Sequence, residues 1–198
     1  AETGRIYIMN LDHCNTHSSF KDKVSMSNLC QEITLPTTPI NAIDDSQGEI
    51  ALCILSAINV GQLNNLEDLE NLCELAVRAL EEIIEYQDYP VKAAEVSTKS
   101  RRSLGIGYIG LAHYLAKQGF KYSEKGAWDS VDRLTEAFQF YLLKASNKLA
   151  QERGACEGFK QTKYADGLLP IDHYKKEVDE IVPHKQRMAW EALRKDIT

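Results

Sequence analysis

The apolar residues of this chain change their period once. Before residue 62 they come in short runs broken by turn formers; from Asn65 they recur every three or four positions, the helical spacing. In the first part, GRIYIMNL (4–11) is short and β-rich. EITLPT (32–37) reads as extended and is stopped by Pro36 and Pro39, because proline cannot donate to a ladder. DDSQG (44–48) is a turn signal. GEIALCILSAINV (48–60) has the near-continuous apolar content of a strand buried on both faces.

The helical part opens with Leu66, Leu69, Leu72, Cys73, Leu75, Ala76, Ala79, Leu80, Ile83 and Ile84 on one broad stripe. Asn64 or Asn65 is placed to cap this helix and Pro90 to end it. A second helix is predicted within residues 103–119, closed by Gly119, and a long third one over 127–153, closed by Gly154. Shorter helical pieces follow at 172–181 and 188–197. Strands and loops over 1–62, then mainly helical residues 63–198, predict one α/β or α+β domain. A sheet of two strands does not stand alone, so these strands are expected to pair within a larger protein. Both ends read as cuts: the chain starts without Met and stops inside a helical pattern.

Composition narrows the class. A hydrophobic content of 43% suits a cored globular chain of 198 residues. The net charge of −6 with no basic stripe disfavours nucleic acid as a partner. No apolar run is long enough to span a membrane, and no signal peptide is visible. Five cysteines are an odd count in a chain of this size, which points to free thiols in a reducing cytoplasm. Cys73 falls on the helical stripe and reads as core; Cys156 is given no role.

Several motifs have ordinary explanations. GIGYIG (105–110) has the glycine spacing of a dinucleotide loop, which needs a strand immediately before it and an acid about twenty residues on. STKSRRS precedes it and is no strand, so the glycines read as places where a helix approaches its neighbour closely. His13, Cys14 and His17 in DHCNTH lack an obvious fourth zinc ligand, with His113, His173 and His184 scattered; turn and hydrogen-bond duties are expected. Arg101 and Arg102 can hold a phosphate or carboxylate, but a solvated pair or a partner contact is favoured. Tyr86 and Tyr89 read as packing at a helix end.

SNLCQEI (27–33) carries the candidate chemistry. If the segment is extended, Asn28, Cys30 and Glu32 point the same way, about 6.5–7 Å apart, and one small molecule meets all three. The amide can bind a hydroxyl, and the carboxylate can take a hydroxyl proton. A nucleophilic thiolate wants a cation beside it, and here the neighbour is an anion. That favours sulfur chemistry without a thiolate, such as hydrogen-atom transfer by a sulfur radical. The plain alternative is a strand with a small apolar cysteine and a turn asparagine. Cys53, in EIALCIL, reads alone as core; with Cys30 it offers a second thiol if the DDSQG turn brings the segments together.

These stretches, with GEIALC, DYP, RRSLGIG, FYLLKASN and LPIDHYKK, resemble collinearly and over nearly the whole chain a central slice of the large (alpha) subunit of class I, subclass Ia, ribonucleoside-diphosphate reductase. The resemblance implies part of a ten-stranded α/β barrel with a central finger loop. It implies that Cys30 becomes a thiyl radical and removes the 3′ hydrogen of a ribonucleotide, that Glu32 takes the 3′-hydroxyl proton, and that Asn28 binds the substrate. Cys53 is implied as one of two cysteines that reduce the 2′ carbon and end as a disulfide; its partner would precede Ala1. Radical-relay tyrosines, tail cysteines and effector sites are implied outside the chain. So are a small subunit with a di-iron tyrosyl radical, and thioredoxin or glutaredoxin. The segment alone is expected to be inactive. The competing reading is a non-catalytic helical interaction module with structural cysteines.

Overall fold

The structure, a computed structural model, describes residues 2–174, 176–180 and 185–198. In chain order the regular elements are α1 (Leu11–His17), β1 (Ile54–Asn59), α2 (Asp68–Tyr86), α3 (Lys92–Arg101), β2 (Leu104–Ile109), α4 (Leu111–Lys117), α5 (Lys125–Arg153) and α6 (Trp190–Ile197), with short 3-10 turns between them.

β1 and β2 pair in parallel, from Ile54 opposite Leu104 to Asn59 opposite Ile109. A parallel pair needs a long crossover, and α2 and α3 supply it. Side chains alternate across the sheet. Ile58, Ile106 and Tyr108 face inward onto a core of Val60, Leu63, Leu69, Cys73, Leu134, Ala137 and Phe138. The Tyr108 and Phe138 rings meet edge to face at 5.4 Å. The other face holds Leu55, Ala57 and Asn59 opposite Gly105, Gly107 and Ile109, and Leu55 and Ile109 are exposed there.

The long helices follow their periodicity. In α2, Leu69, Cys73, Val77, Leu80 and Ile84 are buried, and α5 lies along it. Leu72, Leu75 and Ile83, read on the same stripe, are exposed: the neighbouring elements cover one side of the stripe only. No side-chain cap forms at the start of α2; Asn65 instead accepts through its carbonyl from the Asp68 N–H. Gly119 and Gly154 close α4 and α5 with φ of 77° and 93°, a region that suits glycine.

Four expectations are corrected. The β-rich 4–11 forms no strand, and α1 begins at its end. Residues 32–37 run without a ladder; just beyond them an isolated bridge pairs Thr38 with Glu49. A strand needs a neighbour, and within the described residues neither segment has one. Within 103–119 the predicted helix is α4 alone, Leu111–Lys117; residues 104–109 ahead of it are β2, since β1 offers them an edge. The 48–60 strand is shorter, Ile54–Asn59, and buried on one face. Among the described residues the ten-stranded barrel is not visible; they are mixed helix and strand around a small parallel sheet. The helical piece predicted at 172–181 lies partly outside the described residues; within them, Pro170–Asp172 and Lys176–Glu180 are 3-10 turns.

Glu136 ties the last helix to α5. Buried, it accepts from the Arg187 and Met188 N–H groups (2.6 and 3.1 Å) and from Trp190 Nε1 (3.1 Å). Phe140, Leu169, Trp190 and Leu193 form the apolar cluster beside it.

Candidate functional site

The Cys30 segment is not extended. The Asn28 carbonyl accepts from the Gln31 N–H at 3.1 Å, which closes a turn with Leu29 and Cys30 at its centre. Gln31 takes φ of 63°, a left-handed conformation costly for a residue with a Cβ. The neck is sealed twice. Asn28 Oδ1 accepts from the Ile33 N–H at 3.1 Å, and the Ser27 hydroxyl donates to the Ile33 carbonyl at 2.7 Å. The side-chain amide thus competes with strand pairing for the backbone, as asparagine commonly does in turns. The expected alternation of Asn28, Cys30 and Glu32 along a strand is overturned by this turn. Asn28 and Cys30 both lie within this turn, and Glu32 follows it on the outgoing side. All three side chains belong to exposed residues.

Both arms of the loop are anchored. On the incoming arm, Asn15 of α1 grips the backbone of buried Val24 from both sides, at 2.8 and 2.9 Å. The Lys21 N–H donates to the Gln161 carbonyl, and the Lys163 N–H to the Ser19 carbonyl, each at 2.7 Å. On the outgoing arm, Thr38 and Glu49 exchange backbone hydrogen bonds of 3.2 and 3.0 Å. The turn predicted at 44–48 makes this exchange. Asp45 accepts there from the Asn41 and Gln47 N–H groups, and these bonds hold its carboxyl below the usual carboxylate range. The turn therefore joins the loop arm to Glu49.

Cys53 sits just before β1, half-buried on the sheet face that carries Leu55 and Gly105. Burial pushes its thiol up. Cys30 and Cys53 are both free thiols, and no polar contact among the described residues joins them. Cys73 is core, as predicted: it is fully buried, and burial pushes its thiol up to about 12.

The arginine pair differs from its predicted solvated state. Arg101 forks onto Glu49 (2.9 and 3.0 Å) and reaches Asp22 (2.8 Å). Arg102 binds Glu81 and Glu85 of α2 (2.6 Å each). Both guanidiniums are spent on carboxylates of this chain. Tyr86 is exposed rather than packed, whereas the Tyr89 hydroxyl donates to the Ile84 carbonyl at 2.8 Å. DHCNTH (12–17) lies wholly within the helix α1 rather than in a turn, and His17 faces His173 edge to ring at 6.1 Å. No three metal-ligating side chains cluster among the described residues; His184 lies outside them. A cavity of about 320 Å³ between His17, Ser19, Tyr164 and His173 includes none of the four candidate residues.

Sequence reading missed the anchors Asn15, Asp22, Glu49 and Ser27. Asp22 and Glu49 meet Arg101 from 79 and 52 residues away, and the Asn15 and Ser27 side chains bond backbone groups six to nine residues on, contacts that leave no periodic signal.

The family whose model matches, over residues 1–198, is described as ribonucleotide reductase, barrel domain. The ribonucleoside-diphosphate reductase subunit alpha of Haemophilus influenzae is 57% identical over 200 residues, covering 100% of this chain and 26% of that protein. The ribonucleoside-diphosphate reductase 1 subunit alpha of Escherichia coli is 55% identical with the same coverage. The subunit alpha of Enterobacteria phage T4 is 40% identical over 98% of this chain and 26% of its own length. The chain thus spans about a quarter of the length of the curated relatives it matches.

Proposed function

We propose, because this chain belongs to the ribonucleotide reductase barrel-domain family, that it is the radical-site segment of a ribonucleoside-diphosphate reductase large subunit. Its residues 1–198 are then one piece of a single barrel domain, with the finger loop in 1–62 and mainly helices in 63–198. It acts only when the rest of the subunit completes it.

In this reading the Cys30 sulfur, as a thiyl radical, takes the 3′ hydrogen atom and becomes a thiol. Glu32 accepts the 3′-hydroxyl proton, and the developing 3′ oxyanion helps expel the 2′ oxygen as water. Cys53 and a thiol from outside this chain supply two electrons and two protons, forming a disulfide while the 2′ carbon is reduced. Cys30 then returns its hydrogen to C3′ and is a radical again, and Glu32 gives its proton back to the 3′ oxygen. Asn28 orients the sugar through its amide. Because its oxygen already serves the Ile33 N–H, the amide nitrogen is the group assigned to the substrate.

The radical originates elsewhere: subclass Ia assigns it to a di-iron tyrosyl small subunit, with thioredoxin or glutaredoxin as reductant and the cytoplasm as the location. No step is routed through a metal on this chain. The substrate is a ribonucleoside diphosphate, and no nucleic acid or membrane takes part. Among the described residues, no helix is long and apolar enough to cross a membrane.

The observation that carries this reading is the Cys30 thiol presented at the tip of a doubly sealed turn, in a chain matched over residues 1–198 to the reductase barrel. The test is Cys30→Ala in the complete reductase. Deoxynucleotide formation is expected to vanish while the circular dichroism spectrum is unchanged; retained turnover would refute the role of Cys30.

A further inference from the structure

We propose that Arg101 is a positioning residue for the Cys30 loop, holding the loop's two arms together through one guanidinium. The proposal rests on the radical-site reading of Cys30 and deepens it.

The neck of the loop is Ser27 to Ile33. Asp22 lies on the arm before it and Thr38 on the arm after it. Arg101 Nη1 donates to Asp22 at 2.8 Å, while Nε and Nη2 donate to the two oxygens of Glu49 at 2.9 and 3.0 Å. Glu49 in turn holds Thr38 by both backbone bonds and accepts from its hydroxyl at 2.9 Å. One planar cation therefore closes a ring: incoming arm, Asp22, Arg101, Glu49, Thr38, outgoing arm. The Phe20 ring lies 5.1 Å from the guanidinium carbon, and Phe20 is itself bridged to Thr162, so the incoming arm is held at a second point.

The chemistry selects arginine. A fork of five donors can serve two carboxylates in one plane, which a lysine ammonium cannot do in the same way. The side chain is 11% exposed and Glu49 18%, so little water competes at that fork, while Asp22 is 40% exposed. The clamp has a fixed base. Arg101 is the last residue of α3, and Gly158 lies against the Ser100 carbonyl and Arg101 Cα, where an added Cβ would stand 3.1 and 3.4 Å away. Arg102 is the internal control. It is the next residue and also makes two carboxylate contacts, but to α2 and not to the loop.

A radical sulfur must sit within about 3–3.5 Å of the hydrogen-bearing carbon, and a misplacement near 1 Å costs on the order of 10²-fold in rate. Releasing the arms should therefore appear in turnover more than in substrate binding. In the complete reductase, Arg101→Met is expected to lower kcat about tenfold or more with KM within about twofold. Arg101→Lys and Asp22→Asn should each give a smaller loss of the same kind. Arg102→Met should lower the melting temperature yet leave kcat within about twofold of wild type. If Arg101→Met does not fold, Arg101→Lys and Asp22→Asn decide by the same kcat criterion. Equal kcat in the Arg101 and Arg102 variants, or a loss carried entirely by KM, overturns the proposal. Turnover surviving Cys30→Ala removes the reading beneath it. Turnover lost in Cys30→Ala but normal in Arg101→Met removes the clamp alone.

Discussion

Gly105 lies directly against Cys53. A Cβ added at Gly105 would stand 3.0 Å from the Cys53 sulfur and 2.5 Å from Leu55 Cδ2. The glycine lets β2 approach while the thiol stays on the uncovered face of the sheet.

Gly105→Ala must therefore move the thiol, the leucine or the strand pairing. The exposed Leu55 side chain can swing aside, so the strain falls on the Cys53 contact. In the complete reductase, steady-state deoxynucleotide formation is expected to fall about tenfold or more, because Cys53 is displaced. Normal steady-state turnover, with Cys53 alkylated at the wild-type rate, would show that the contact does not set the thiol's place.

Cys53→Ser leaves a side chain of similar size that cannot form a disulfide. Multiple turnovers should stop while the subunit stays folded. Unchanged steady-state rates would count against the reductant role assigned to Cys53.

Glu136 offers a stability test away from the loop. Burial opposes its ionisation, but donors from Arg187, Met188 and Trp190 outweigh burial and hold the carboxyl below the usual range. Glu136→Gln weakens charge-assisted bonds and turns amide hydrogens toward N–H donors. A loss of about 1–3 kcal/mol is expected, with altered Trp190 emission as the local marker. Wild-type unfolding free energy would contradict the account.

Acid should loosen the loop's anchorage at Glu49. Its hydrogen bonds from Arg101 hold the carboxyl below the ordinary 4.5. A carboxyl depressed in the folded state binds fewer protons there than in the unfolded chain. Its contribution is complete above about pH 4.5 and disappears as pH falls through the depressed folded value. Glu49→Gln in the complete subunit should flatten the pH dependence of stability below pH 4.5; an unchanged slope there would reject the coupling.

Cys73 should resist alkylation at pH 8 in the native subunit and react after unfolding, since it is fully buried and its thiol is pushed up to about 12. Native-state labelling, read by peptide mass, would contradict its core assignment.

The helices α2, α5 and α6 were legible because each carries its own period and, for α5, its own stop at Gly154. The candidate thiols were legible through their neighbours in sequence. α3 escaped notice because its buried residues are Ala93, Ala94, Ser97 and Thr98, a face of small side chains with no apolar stripe. β2 was misread because alternating glycines look alike in a loop, a helix contact or a strand until an edge is present to pair with.

The sequence by itself determined the chemistry on offer: a thiol between an amide and a carboxylate, a second thiol ahead of an apolar strand, and helices whose spacing is written in consecutive residues. Tertiary structure alone decided that the thiol rides a turn, that residues 104–109 are a strand, and that Arg101 serves Glu49 from 52 residues away. Local periodicity reports the energy of neighbours along the chain. A turn sealed by Ile33, a strand edge lent by β1 and an ion pair across the fold depend on groups that only folding brings within reach.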